Sequence, residues 1–537
     1  MTGSPEYDVL IIGGGLSGIY ALYRAQRDGL RAKVLEAGSG VGGTWFWNRY
    51  PGARFDSESY TYAFSFSKEL LDEWSWSEHF ATQPETLRYI QYIVDRFDLK
   101  KDIQFNTRVT SAHYQSNDSW LLTDETGQQY TSRFFIPAIG ILNSPTYPAI
   151  PGIPSFRGES YHTSRWPTDP VDLSNKRVAV IGTGATGIQV IQTIYKTVQS
   201  LVVFQRTANW TAPMNNAAID PAEMAEIRRS YPEIFAKCDR SPTCFMHEPI
   251  MRRTADVPGP EREEIWENLF RQRGFAKWSG AFVDLMTDRE ANRLYSDFVA
   301  KKIRARVHYP ETAEKLVPKD HGFGLRRVPL EMEYYDAFNQ ANVELVDLKS
   351  DPIETVHEKG IRTSKKDFEF DVIIFATGFD AITGSFDAMD IQGVDEIKLR
   401  DRWDEKISTY LGIAVRGFPN MLMSLGPHQA LGNIPRTIEY NVGWIMDFVK
   451  WAHDKGIKRI EATEEGERSW TEHVDELYGK TLLSDVNSWM TGINTNLKHR
   501  QTRRATIYMG GAVEYRQQAE EVKQKGYEGF ELAASST

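Results

Sequence analysis

The residues in this sequence best placed for chemistry form two short glycine runs. Gly13-Gly14-Gly15-Leu16-Ser17-Gly18 and Gly182-Thr183-Gly184-Ala185-Thr186-Gly187 share the spacing G-x-G-x-x-G. In such a run the first glycine permits a tight strand-to-helix turn. The second lets the backbone approach a pyrophosphate, and the third lets helix and strand pack closely. The pyrophosphate then sits at the positive end of the helix. Gly13, Gly15 and Gly18, and again Gly182, Gly184 and Gly187, are therefore candidate dinucleotide contacts.

The two runs differ in the residue at the end of the next strand. Eighteen residues after Gly18 comes Glu36, an acid placed to accept hydrogen bonds from a ribose diol. Eighteen residues after Gly187 the same position is Gln205, with Arg206 and Thr207 next in the chain. Losing the carboxylate removes repulsion against a 2′-phosphate, and the guanidinium offers paired donors to it. The first site is thus assigned FAD and the second NADPH in preference to NADH. Two such sites in one chain imply electron transfer from NADPH to a flavin, with the flavin carrying the hard chemistry.

The elements that must position these residues are legible. Tyr7 to Ile12 is an apolar run ending at glycines, Leu16, Ile19, Leu22 and Tyr23 come next at helical spacing, and Lys33-Val34-Leu35 reads as a second strand. This is a βαβ unit. The layout returns with a strand from Arg177 to Ile181, a helix carrying Ile188, Ile191, Tyr195 and Val198 on one face, and a strand from Leu201 to Phe204. Residues 144–172 hold six prolines and read as an inter-domain connection. Residues 217–332 carry charged, helix-favouring stretches without clear parallel strands and read as a helical insertion. The strand Phe370 to Phe375 returns to a sheet. The polar tail, 515–537, is expected to cover the surface or fray. The expected fold is α/β, with two Rossmann-like dinucleotide-binding domains and a helical insertion. Residues 1–145 with 385–537 would bind FAD, 146–220 with 333–384 would bind NADPH, and 221–332 would be the insertion.

Composition sets limits on function. A chain of 537 residues needs two or three domains. The net charge of −10 argues against a nucleic-acid partner. Cys238 and Cys244 are the only cysteines and do not form a C-x-x-C pair, which excludes a disulfide framework and a dithiol partner for the flavin. No apolar run reaches the roughly 18 residues a membrane span needs. Met1 to Tyr7 is short and polar, and Ser535-Ser536-Thr537 is not a targeting tripeptide. The expectation is a cytoplasmic monomer with no membrane partner and no metal.

Two longer strings carry a family resemblance. Residues 42–56 read Gly-Gly-Thr-Trp-Phe-Trp-Asn-Arg-Tyr-Pro-Gly-Ala-Arg-Phe-Asp, and residues 156–167 read Phe-Arg-Gly-Glu-Ser-Tyr-His-Thr-Ser-Arg-Trp-Pro. Together they closely resemble the type I Baeyer–Villiger monooxygenases. The segment Phe375 to Asp380 resembles one shared with related flavin monooxygenases, and the likeness runs from about residue 7 to about residue 511. It implies an enzyme that reduces FAD with NADPH, traps O2 as an FAD C4a-peroxide and oxidises a ketone to an ester or lactone, with NADP⁺ retained.

The resemblance also implies site residues. Arg327 would be the active-site cation and Asp56 the carboxylate that holds it. A fixed guanidinium stabilises an anionic peroxide and the negative oxygen of the ketone adduct. Arg326 lies where the family commonly has a lysine on the 2′-phosphate, and Trp489 resembles the tryptophan near the nicotinamide ribose. Thr44, Trp45, Asp56, Val109, Thr183, Gln189 and Thr207 complete the cofactor contacts. His162 is read as a structural residue of the linker. The nearest rival is a flavin monooxygenase that oxidises nitrogen or sulfur; Trp166, the 42–56 string and Arg327 favour ketones. A disulfide reductase lacks its cysteines, and a non-enzymatic nucleotide sensor leaves Asp56 and Arg327 unexplained. Gln429 to Pro435 and Met490 to Asn494 are the candidate substrate-lining segments, with Gly432 giving no bulk and so widening the pocket.

Overall fold

The computed structural model describes residues 5–534. Most of the polar N-terminal segment and the C-terminal tripeptide lie outside the described residues.

Both glycine runs sit where a buried parallel strand meets a helix. The strand Tyr7–Ile12 pairs in parallel with Ala32–Leu35 on one side and Gln129–Pro137 on the other. It lies inside a seven-stranded sheet, with two strands on one side and four on the other. On one flank Ala32–Leu35 pairs with Ile103–Gln104; on the other the antiparallel meander of Gln129–Pro137, Ser119–Asp124 and Val109–Gln115 ends at the parallel strand Asp390–Gln392. Val9, Leu10 and Ile11 are fully buried, as expected of a strand covered on both faces. The helix Leu16–Arg27 covers one face and packs against Ile434–Asp454, where Arg24 Nη2 meets Asp447 Oδ1 at 2.5 Å.

The second sheet has five parallel strands, in the order Val343–Asp347, Ser200–Gln205, Arg177–Ile181, Val372–Phe375 and Glu159–His162. The helix Ala185–Ile194 leaves the end of Arg177–Ile181. Glu159–His162 corrects the reading of 144–172 as connection alone. Its prolines flank the strand without interrupting it, and an edge position needs only one neighbour. His162 ends that strand, buried, with Nδ1 2.8 Å from Ser164 Oγ and Nε2 3.3 Å from the Thr146 carbonyl.

The stretch after Asn216 is helical: Pro221–Arg240, Gly259–Arg271, Arg289–Arg306 and Pro310–Leu316. Asp220 and Asp288 cap two of these by accepting from Ala222 and Glu223 N–H, and from Glu290 and Ala291 N–H. One two-residue strand, Leu330–Glu331, closes the stretch by pairing in parallel with Ala212–Pro213. As far as Ala534 the tail is built into a helix and a strand. Gly511–Gln524 is a helix whose Ala512, Tyr515 and Ala519 are buried, and Phe530–Ala534 pairs antiparallel with Ile457–Ala462. Three apolar residues at helical spacing outweigh the segment's polar composition. Among the described residues no helix is long and apolar enough to cross a membrane.

Candidate active site

Each glycine turn is built as its spacing requires. Gly13 has φ +105°, and a Cβ there would lie 2.5 Å from the Ala138 carbonyl oxygen. A Cβ on Gly18 would lie 1.8 Å from the Gly13 carbonyl oxygen, so the helix can start here only if this residue is glycine. Gly182 (φ +111°) and Gly187 repeat the arrangement against Ala376 and Gly182. The middle glycines differ in kind. A Cβ on Gly184 would meet nothing within 4 Å, and one on Gly15 would meet only Gly43, at 3.5 Å or more. Both are helix N-caps with no side-chain cap, which leaves the first N–H groups of each helix free for an anion. Two uncapped N-termini, one open at Gly184 and one lined by another glycine at Gly15, fit two pyrophosphates.

Glu36 is buried and accepts from Gly14 N at 2.5 Å and Gly38 N at 2.6 Å. Burial pushes its carboxyl pKa up, opposed by these two N–H groups. Facing it across the turn, the 42–56 string approaches the first motif so closely that Gly43 has φ +52° and room only for hydrogen against Gly15 Cα. Thr44 is exposed at the start of a short helix, and Trp45 is buried edge-on to Phe55 with Nε1 donating to Tyr62 OH at 3.0 Å. Val109 begins the strand Val109–Gln115, and Thr107 N on the same approach donates to the Glu36 carbonyl.

At the second motif Thr183 Oγ1 donates to the Thr207 carbonyl at 3.0 Å. Arg206 is exposed, with Nη1 3.0 Å from Asn496 Oδ1. Its pKa is lowered by the burial of its neighbourhood and then by the positive charge of Arg326. Arg326 donates to the Asn487 carbonyl at 2.9 Å and to Asp320 Oδ2 at 3.1 Å. Two guanidiniums that repel one another at the end of the strand carrying Gln205 suit a dianionic phosphate. Trp489, half-buried, borders Asp380, Arg500 and Arg504 on the segment that supplies Asn487 and Asn496.

Asp56, the last residue of the 42–56 string, is paired with a distant arginine. Arg327 Nη2 is 2.7 Å from Asp56 Oδ2; the carboxylate side chain is 2% exposed and the guanidinium 35%. Leu330 N also approaches Asp56 Oδ2 at 3.5 Å, and Asp56 Oδ1 has no partner. Burial raises the Asp56 pKa and the Arg327 charge opposes that rise. The Phe275 ring lies under the guanidinium, 5.9 Å from it. One anchored nitrogen leaves the remaining donors of the fork free toward solvent.

Gln189 joins the two halves. Its Nε2 donates to the Arg54 carbonyl at 3.0 Å and its Oε1 accepts from Tyr50 OH at 2.8 Å. Tyr50 and Arg54 stand inside the 42–56 string, yet nothing in their own spacing relates them to residue 189. Glu58, buried two residues beyond Asp56 and bonded to His247 Nε2 at 2.9 Å, also carries no signal in the sequence. Gly432 does not widen a pocket: a Cβ there would lie 1.9 Å from the Thr243 carbonyl oxygen, so close backbone approach fixes the glycine. Gln429 is fully buried, donating to the Gly412 and Met423 carbonyls and accepting from Asn441, and so has no free group for a substrate.

The chain is similar to known proteins over nearly its full length. Residues 10–237 match the family described as pyridine nucleotide-disulphide oxidoreductase. Cys238 and Cys244 are free, buried and outside both glycine turns, and burial pushes the Cys238 thiol up to about 12, so no disulfide chemistry accompanies the match. The chain is 44% identical to 2-oxo-Delta(3)-4,5,5-trimethylcyclopentenylacetyl-CoA monooxygenase of Pseudomonas putida, over 99% of each. It is 38% identical to a Baeyer–Villiger monooxygenase of Pseudooceanicola batsensis, over 97% of this chain and 95% of that one. It is also 38% identical to a phenazine N-monooxygenase of Lysobacter antibioticus, over 98% and 97%. The solved complex of OTEMO with FAD and NADP superposes with a TM-score of 0.95 at 43% identity, covering 99% of this chain and all of that one. With full-length identity at this level and both nucleotide turns intact, the chain belongs to the Baeyer–Villiger monooxygenase family, FAD-dependent oxidoreductases that use NADPH.

Proposed function

We propose that this protein converts a ketone, O2 and NADPH with a proton into an ester or lactone, NADP⁺ and water, using Arg327 as the cation at the reacting centre. The observation that carries this reading is the Asp56–Arg327 pair, a buried carboxylate holding a part-exposed guanidinium, in a chain with two uncapped glycine turns. Bound FAD, reduced by NADPH, supplies the activation of O2. Gly13, Gly15 and Gly18 admit its pyrophosphate, Glu36 receives its ribose hydroxyls, and Thr44, Trp45, Asp56 and Val109 lie along its course. Gly182, Gly184 and Gly187, with Thr183, Gln189, Thr207 and Trp489, hold the nicotinamide nucleotide, and Arg206 and Arg326 receive its 2′-phosphate. Asp56 fixes one edge of the Arg327 guanidinium. The free edge then stabilises the negative charge that develops on the ketone oxygen as it is attacked, at no cost in reorganisation. Arginine suits this role because it stays charged at any working pH.

We assign residues 1–145 with 385–537 to the FAD domain, 146–220 with 333–384 to the NADPH domain, and 221–332 to the insertion. A cytoplasmic monomer is the state proposed. A ketone panel with NADPH consumption and product mass tests the reading, with cyclic ketones first, because the relatives' names include them. Oxygenation of an aromatic ring nitrogen is the second reading, favoured by the 38% identity to a phenazine N-monooxygenase. It needs no cation beside a carbonyl, and an N-heterocycle in the same panel decides between the two.

A further inference from the structure

Asp56 holds Arg327 by one nitrogen only. A planar fork anchored at one corner can still swivel about that bond, so its other face needs a support. That face is occupied by Phe275, 3% exposed, packed against Phe245 at 4.7 Å and Trp278 at 5.7 Å. Phe275 comes directly after Gly274, which has φ +59°, and a Cβ on Gly274 would lie 2.2 Å from Glu58 Oε1. The turn that presents Phe275 is thus pressed directly on the Glu58 carboxylate.

Glu58 is itself fixed. Its side chain is 2% exposed, and His247 Nε2 holds Oε1 at 2.9 Å. Oε2 has no partner. Lys277, fully buried in the same turn, donates to the Gln272 carbonyl and to the Gly274 carbonyl at 3.3 Å. By bonding two carbonyls of the turn, the Lys277 ammonium holds the backbone that rests on Glu58 in one shape.

We infer that Glu58 is a positioning residue for Arg327, acting through Gly274 and Phe275. One short segment thereby grips the arginine from two sides: Asp56 by a direct ion pair, Glu58 by the turn that seats the ring beneath it. The inference rests on the assignment of Arg327 to the reacting centre.

The test uses Glu58→Gln, which keeps the volume and removes the charge. In the apoprotein, hydrogen exchange of a peptide spanning 272–280 becomes faster by roughly tenfold or more, while a peptide spanning 7–18 is unchanged. In the FAD-loaded enzyme, flavin reduction by NADPH stays within about twofold, and the fraction of NADPH coupled to ketone product falls roughly tenfold. Placed in a Phe275→Leu background, Glu58→Gln adds nothing further, because both act on one support. His247→Gln, which keeps a donor to Glu58, holds coupling within about threefold of wild type; His247→Leu does not, and it serves if Glu58→Gln fails to fold. Unchanged exchange over 272–280, or additive effects of Glu58→Gln and Phe275→Leu, would overturn the inference. Arg327→Ala run in parallel separates the two claims. If it still oxygenates ketone, the assignment of Arg327 has failed; if it does not and Glu58→Gln stays fully coupled, only the role of Glu58 has failed.

Discussion

Arg327 Nη2 donates to Asp56 Oδ2 across 2.7 Å, although the two residues are 271 positions apart. The carboxylate is closed off from solvent and the guanidinium is not, which makes Asp56 the fixed partner and Arg327 the presented one. Replacing Asp56 by Ala leaves the arginine on Phe275 alone. Ketone oxygenation should fall by roughly 10²-fold through misplacement of the cation, with FAD still bound. Steady-state product formation, normalised to flavin content, checks this.

Arg206 stands at the end of the strand Ser200–Gln205, its pKa lowered by burial and then by the charge of Arg326. Arg206→Ala should raise KM for NADPH by roughly 10- to 100-fold, the worth of one charged hydrogen bond. KM for NADH should barely move. An equal effect on both nucleotides would mean that Arg206 does not read the phosphate.

Gly432 tests the packing at a position where the sequence suggests pocket space and the structure has backbone. Gly432→Ala puts a methyl group 1.9 Å from a backbone carbonyl that also accepts from Asn433 N. The loss should be about 1–3 kcal/mol, read as a thermal midpoint lowered by several degrees. Ketone selectivity should stay as in the wild type.

Lys277 gives the fold a pH dependence of its own. Burial lowers its pKa from 10.5 to about 8. Between those values the unfolded chain binds more protons than the folded one, so this residue's contribution to stability rises with pH across the window. Below about pH 8 the cost of burying the charge is fully present, at most about 3 kcal/mol. The stability of wild type relative to Lys277→Met should therefore rise between about pH 8 and pH 10.5. Paired urea midpoints at several pH values measure it.

Much of the fold is legible in the sequence because its signals are local. The glycines, the apolar strands and the acid or base at the next strand end are all set by neighbours in sequence, and the structure has both turns where the spacing requires them. Glu159–His162 reads as connection because prolines crowd around it, though an edge strand needs no more than its four residues. The tail reads as loose because its polar residues outnumber Ala512, Tyr515 and Ala519, which alone decide its docking. Tyr50 with Gln189 and Glu58 with Gly274 are not legible at all. Each is a contact made by folding between distant segments, and no periodicity records it.

The claim that Arg327 is the reacting cation is tested most directly by product analysis under 18O2. Wild type and Arg327→Ala, each loaded with FAD, are given NADPH and a cyclic ketone. The wild-type product should be a lactone carrying one labelled oxygen. Arg327→Ala should retain its flavin, lose about 10²–10³-fold or more in lactone formation, and release labelled hydrogen peroxide instead. Labelled lactone formed by Arg327→Ala at the wild-type rate would contradict the account.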